Sequence, residues 1–200
     1  MVIFGLLLNN VIMVISIHQP NFFPWYPFFQ KMEMSDKFII LSNCQFEKNG
    51  FQNRFNLDSN WHTMSTFKGL VNINEKKYVK PFNDWSKLKS NLSVYKDILS
   101  YFDDCISEDL TDTNFKIIKK SAELLKINCE IIMDTPTNYT STERLVELYK
   151  INGGTKYVSG ISGKNYLDLD LFKKHNIEIV FQDENKMERI PLLKKLRSIL

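Results

Sequence analysis

Between Tyr157 and Phe181 the sequence alternates in a way that few folds accommodate. Tyr157-Val158-Ser159 is a short β-prone run, Asp168 to His175 has helical periodicity, and Ile177 to Phe181 is a second β-branched run. Strand, helix and strand in so short a span read as a parallel βαβ crossover. Just upstream, Thr140-x-x-Glu143 is a capping-box signal, and Leu145, Leu148 and Tyr149 share one helical face. Gly153-Gly154 then stops that helix, as a left-handed C-terminal cap does.

The N-terminal part continues the alternation. Val14 to Gln19 reads as a strand, Trp25 to Met34 as a helix and Lys37 to Ser42 as a second strand. Trp61 to Phe67 and Lys77 to Pro81 are expected to form a hairpin or edge pair, with Gln52-Asn53-Arg54 in a polar loop. Leu88, Leu92, Tyr95, Leu99 and Phe102 predict one amphipathic helix over 86–102. Phe115, Ile118, Ala122 and Leu125 predict a second, and Cys129 to Met133 another strand. The expected class is α/β: a single domain with a mostly parallel sheet flanked by helices, plus a short antiparallel hairpin or edge pair. At 200 residues such a domain can bury a sizeable core.

The first strand ends in an unusual composition, Ser16-Ile17-His18-Gln19-Pro20-Asn21-Phe22-Phe23-Pro24-Trp25. Pro20 stops the strand within a sheet interior. His18, Gln19 and Asn21 are thereby delivered to a strand's carboxyl end, where open α/β sheets hold ligands. Read alone, these residues fit a satisfied structural turn equally well. A second candidate is Ser159-Gly160-Ile161-Ser162-Gly163-Lys164-Asn165, between strand and helix. Its glycines let backbone N–H groups approach an anion, and Lys164 adds a point charge. It is not a Walker A loop, because its glycine spacing is too short and Asn165 stands where Ser or Thr is required. Arg54 could pair with a carboxylate or phosphate. His62 falls in a strand pattern and His175 at a helix end, so the three histidines have no metal-ligand spacing.

These blocks resemble the WbqC-like family, bacterial proteins of surface-polysaccharide (O-antigen) gene clusters. The resemblance runs from about Met13 to Asp183. It rests on the His18 segment, Ser35 to Leu41, Gln45-Phe46, Phe51 to Arg54, Thr142 to Leu145, and the run from Gly153 to Asp168. It departs at Phe55-Asn56-Leu57, where the family is more polar and basic. The resemblance implies an aminoacyl (glycine) transferase acting on an amino-sugar precursor of the polysaccharide. In that reading His18 is catalytic, and Gln19, Asn21, Gln45, Gln52, Asn53, Arg54, Ser159, Gly160, Ser162, Gly163, Lys164 and Tyr166 bind substrate. The substrate is a small molecule, a nucleotide sugar or an amino-acid donor, and no cofactor is specified. Two alternatives stay open: a non-catalytic binding protein of the same pathway, and a nucleotidylyltransferase-like enzyme.

Composition narrows the partners. The formal charge of +3 is concentrated after Lys186, so there is no chain-wide nucleic-acid footprint. Three scattered cysteines, Cys44, Cys105 and Cys129, indicate reduced thiols in a cytoplasm, with Cys44 a buried small hydrophobe. Met1 to Ile12 is apolar but broken by Asn9 and Asn10, too short for stable membrane insertion. It is read as a leader outside a domain spanning 13–200. Because the family runs on beyond a segment like Leu192 to Leu200, that domain is expected to stop short of its full C-terminal length.

Overall fold

Strand β1 (Val14–His18) is buried over Ile15, Ser16 and Ile17, so neither of its faces meets water. A strand covered on both faces is the signature of a parallel α/β sheet. The computed structural model describes residues 12–200, so the segment read as a leader lies, apart from Ile12, outside the described residues. Helix α1 (Tyr26–Glu33) begins with Pro27 in its first turn and carries the chain back to β2 (Lys37–Ile40), parallel to β1. A long excursion follows, with β3 (Arg54–Leu57), β4 (Asn60–Thr63), α2 (Pro81–Asn91), α3 (Lys96–Ser100) and α4 (Leu110–Leu124). β5 (Glu130–Met133) returns beside β2. The remaining elements are α5 (Ser141–Ile151), β6 (Lys156–Ser159), α6 (Leu169–Lys174), β7 (Glu178–Phe181) and α7 (Leu192–Ile199).

The five-stranded sheet has the order β5-β2-β1-β6-β7, and every neighbouring pair is parallel. The chain steps outward from β1 to β2 to β5, then crosses to the far side of β1 for β6 and β7. One face packs Phe38 and Ile40 against Phe28, Phe29, Ile117 and Leu193 of α1, α4 and α7. The other packs Ile15, Ile17, Ile39 and Tyr157 against Val146, Leu148 and Phe172 of α5 and α6. This is a doubly wound sheet, reversing between β1 and β6.

Three local expectations are corrected. The antiparallel hairpin is β3–β4, and the expected pairing of Trp61–Phe67 with Lys77–Pro81 shrinks to one antiparallel bridge between Thr66 and Tyr78. The hairpin closes through Asp58 and Ser59, both at positive φ (52° and 65°), the geometry of a two-residue I′ turn without the usual glycine. Arg54 is therefore in a strand, while Lys77 and Tyr78 form isolated bridges and Pro81 opens α2. The helix predicted over 86–102 breaks at Leu92 (φ −107°, ψ 46°) into α2 and α3, joined by the 3-10 turn Ser93–Tyr95. Its apolar stripe survives the break, since Leu88, Tyr95, Leu99 and Phe102 are all buried. Thr140 does occupy the N-cap of α5, but its side chain makes no capping bond. Ser141 is left-handed (φ 48°), so the first turn is too irregular for the capping box to close.

At the other end of α5 the glycine stop forms as read. Gly153 is left-handed (φ 70°), its N–H donates to Lys150, and the Gly154 N–H donates to Tyr149. That pairing is a Schellman motif.

Candidate functional site

In doubly wound sheets a crevice opens where the strand order reverses, outside the carboxyl ends of the two strands. Here those ends are His18 of β1 and Ser159 of β6. A cavity of about 460 Å³ lies there, lined by His18, Asn21, Phe22, Phe23, Pro24, Trp25, Phe51, Phe55, Asn56, Ser162, Arg189 and Pro191. The aromatic side chains make it apolar, with a few polar groups to orient a ligand, as small-molecule sites require.

The walls are held rigidly. The buried Asn114 amide donates to the carbonyls of Pro20 (2.8 Å) and Gln52 (2.7 Å), and the Phe22 N–H donates to Phe51 (2.9 Å). These bonds staple the segment after β1 to the segment before β3. Phe23 takes a left-handed φ of 44°, costly for a bulky residue. Contacts with Phe55, Trp85 and Phe102, at ring-centre distances of 5.4, 5.8 and 5.1 Å, keep it there. Trp25 and Phe51 remain about half exposed at the cavity, at 49% and 54%.

His18 packs its ring edge-on against Phe28 and places Nδ1 3.0 Å from the Gln19 carbonyl. A carbonyl only accepts, so Nδ1 carries the proton and Nε2 keeps its lone pair. Burial, reinforced by the charge of Lys31, pushes the imidazole down to about 3, so it is neutral at physiological pH. Lys31, a charged residue on the apolar face of α1, stands beside it. It is buried, its ammonium donates to the Ile17 carbonyl (3.1 Å) and sits 5.3 Å from the centre of the Phe38 ring. Burial lowers it to about 7. Its signal in the sequence was a lysine three residues after Phe28 and one before Met32, on the apolar face of α1.

Of the expected binding residues, Asn21 and Ser162 join His18 in the cavity. Gln19 and Gln52 instead bond to each other (2.7 Å), and Gln19 continues to the Cys44 sulfur (3.5 Å). Asn53 is buried, its amide donating to the Met64 carbonyl. Gln45 is exposed in a bridge with Asn72. Arg54 donates Nε to Gly50 (3.2 Å) and an Nη to Asn49, and its guanidinium lies 4.0 Å from the centre of the Trp61 ring. Lys164 is exposed with its ammonium 5.3 Å from the Phe181 ring, and Tyr166 is exposed.

The glycine loop differs from the expected anion cradle. Ile161–Asn165 is a 3-10 turn in which the Gly163 N–H bonds to the Gly160 carbonyl (2.9 Å). Gly163 has a packing reason, because a Cβ there would lie 2.1 Å from Ser159 Oγ. Ser159 Oγ itself donates to the Gly160 carbonyl. At the start of α1 the Tyr26 N–H is taken by Ile190, and Pro27 has none. Arg189 and Pro191 are the lining residues from a stretch that the sequence did not single out, and Arg189 is also paired with Glu184 at the surface.

Fold and site together define a doubly wound α/β protein with an aromatic-lined cavity at its switch point. The chain belongs to the WbqC-like protein family, whose profile matches residues 19–191. It is also 25% identical to the uncharacterized protein Rv1507c of Mycobacterium tuberculosis (strain ATCC 25618 / H37Rv), across 84% of this chain and 81% of that one. No solved structure matches the chain. Among the described residues no helix is long and apolar enough to cross a membrane.

Proposed function

We propose that this protein is a transferase that acylates the amine of a sugar ring held in the cavity, with an aminoacyl group such as glycyl as the group transferred. The observation that carries this reading is the fixed tautomer of His18, whose unprotonated Nε2 is the free ring nitrogen of a cavity-lining imidazole. Nε2 accepts an N–H of the neutral amine, which leaves the lone pair of the amine nitrogen aimed at the acyl carbon. The C–N bond forms, the bond from the acyl carbon to its leaving group breaks, and the proton passes to Nε2. A weak base suffices, because an amine nitrogen becomes strongly acidic once acylated. The donor is an activated acyl ester, thioester or acyl phosphate. Asn21 and Ser162 supply polar contacts to the sugar's hydroxyl rim, and the aromatic walls accept its C–H face. The free thiols Cys44, Cys105 and Cys129 support a cytoplasmic setting.

One observation favours a second reading, a non-catalytic binder of the same ligand. Among the described residues, the one titratable side chain besides His18 that lines the cavity is Arg189, which is tied to Glu184, so none of them offers a second acid or base there. Nucleotidyl transfer has less support, since Lys164 stands away from the cavity of His18.

The test is mass spectrometry after incubating the protein with nucleotide-linked amino sugars and a glycyl thioester. An acylated sugar from the wild type, lost in His18→Ala, is the expected result. Sugar binding without product from any pairing, and unchanged in His18→Ala, would favour the binder.

A further inference from the structure

The aromatic wall of the cavity does not end at its mouth. Phe51, which lines the cavity, lies 5.6 Å from Trp61, and Trp61 is 47% exposed. Asn56, also a lining residue, faces Trp61 across the β3–β4 hairpin. The guanidinium of Arg54 stacks on Trp61, and both of its bonds go to backbone carbonyls, which leave its charge uncompensated. Lys48 and Arg54 line a neighbouring hollow of about 200 Å³. Among the described residues neither Lys48 nor Arg54 takes part in an ion pair. The outer face of the hairpin is thus a ledge of exposed rings with two free cations, continuous with the cavity.

Each property of the ledge selects a chemistry. Half-exposed indole and phenyl faces stack planar rings irrespective of their hydrogen-bonding edges, as they do for nucleobases. A guanidinium backed by an aromatic ring is weakly hydrated and suits phosphate. The helix start at α1, which would otherwise hold phosphate in such a fold, has its N–H groups bonded or missing. We propose that the hairpin ledge is a second subsite that holds the base and phosphates of a nucleotide-linked sugar, whose sugar ring occupies the cavity. This rests on the reading of the cavity as the seat of the sugar.

The experiment is ligand-observed NMR and calorimetry on the full chain. The probes are uridine, thymidine and guanosine diphosphate sugars and a cytidine monophosphate sugar, each beside its free sugar and its free nucleotide. At least one nucleotide-linked sugar should bind about tenfold or more tighter than its free sugar. Trp61→Ala and Lys48→Ala, both at exposed positions, should remove that advantage while leaving free-sugar binding unchanged. Trp61→Phe should restore most of it. If all four conjugates bind no tighter than their free sugars, or if Trp61→Ala keeps the advantage, the ledge proposal is overturned. Nucleotide binding that depends on Trp61, with no free sugar binding, would uphold the ledge and overturn the cavity reading instead.

Discussion

At the scale of the residue, Lys31 is the most demanding side chain in the protein. A buried ammonium whose one hydrogen-bonding partner is a backbone carbonyl loses most of its hydration and gains no carboxylate in return. Lys31→Met removes the charge while keeping an unbranched apolar side chain one atom shorter beside Phe38. It should stabilise the fold by about 1–3 kcal/mol at pH 7, read from urea melts. A loss of stability would mean that the Ile17 carbonyl depends on its donor more than the ammonium suffers from burial. His18 makes stability depend on pH. Its pKa falls from 6.5 in the unfolded chain to about 3 in the folded one, so between those values only the unfolded state binds the proton. Stability should therefore fall as pH drops from about 6.5 toward 3. His18→Gln should flatten the upper part of that dependence, where carboxylates contribute least. NMR of the imidazole nitrogens should show a neutral ring protonated on Nδ1 at pH 5.

At the scale of the element, α5 is the clearest case of a helix read correctly from its residues. Leu148 is fully buried and Tyr149 nearly so, Leu145 packs against them, and Glu143 and Lys150 face water. Leu148→Ala should cost about 2–5 kcal/mol. The glycine pair that ends α5 has two distinct roles. Gly153 supplies the left-handed conformation, whereas a Cβ on Gly154 would lie 2.4 Å from the Tyr149 ring. Gly154→Ala should thus be at least as damaging as Gly153→Ala, whose cost is about 1 kcal/mol. The reverse order in thermal melts would show that Tyr149 moves aside freely. The hairpin was not legible in the same way. Asp58-Ser59 lacks the glycine that announces an I′ turn, and the two strands it joins are only four residues each.

At the scale of the molecule, the carboxyl edge of the sheet is sewn together by Asp134, which follows β5. Its carboxylate accepts from the Ser42 N–H (2.8 Å), the Ser42 hydroxyl (2.8 Å), the Asn43 amide (2.9 Å) and Arg144 of α5 (3.1 Å). Three elements are thereby locked in register across a buried ion pair. Asp134→Ala should cost about 3–5 kcal/mol, because it leaves the Arg144 charge buried and alone. A cost below about 1 kcal/mol in denaturant melts would show that water enters and replaces the carboxylate.

The same scale separates what was written in the chain from what assembly decided. Periodicity reports which side of an element faces the core, so the parallel βαβ unit, a first strand from Val14 to Gln19 and a helix between Thr140 and Gly153 were all legible in the chain. It also placed His18, Asn21 and Ser162 after strands, and parallel strands share a carboxyl edge. Periodicity says nothing of which strands become neighbours. The order β5-β2-β1-β6-β7, set by crossovers on opposite faces, put the switch point between β1 and β6. That order, together with the hairpin folded over it, brought Phe51, Asn56 and Arg189 to one cavity from segments far apart in the chain. It also turned Gln52 inward to Gln19 and left Lys164 outside. Cavity walls are contacts between elements, and only the tertiary structure can choose them.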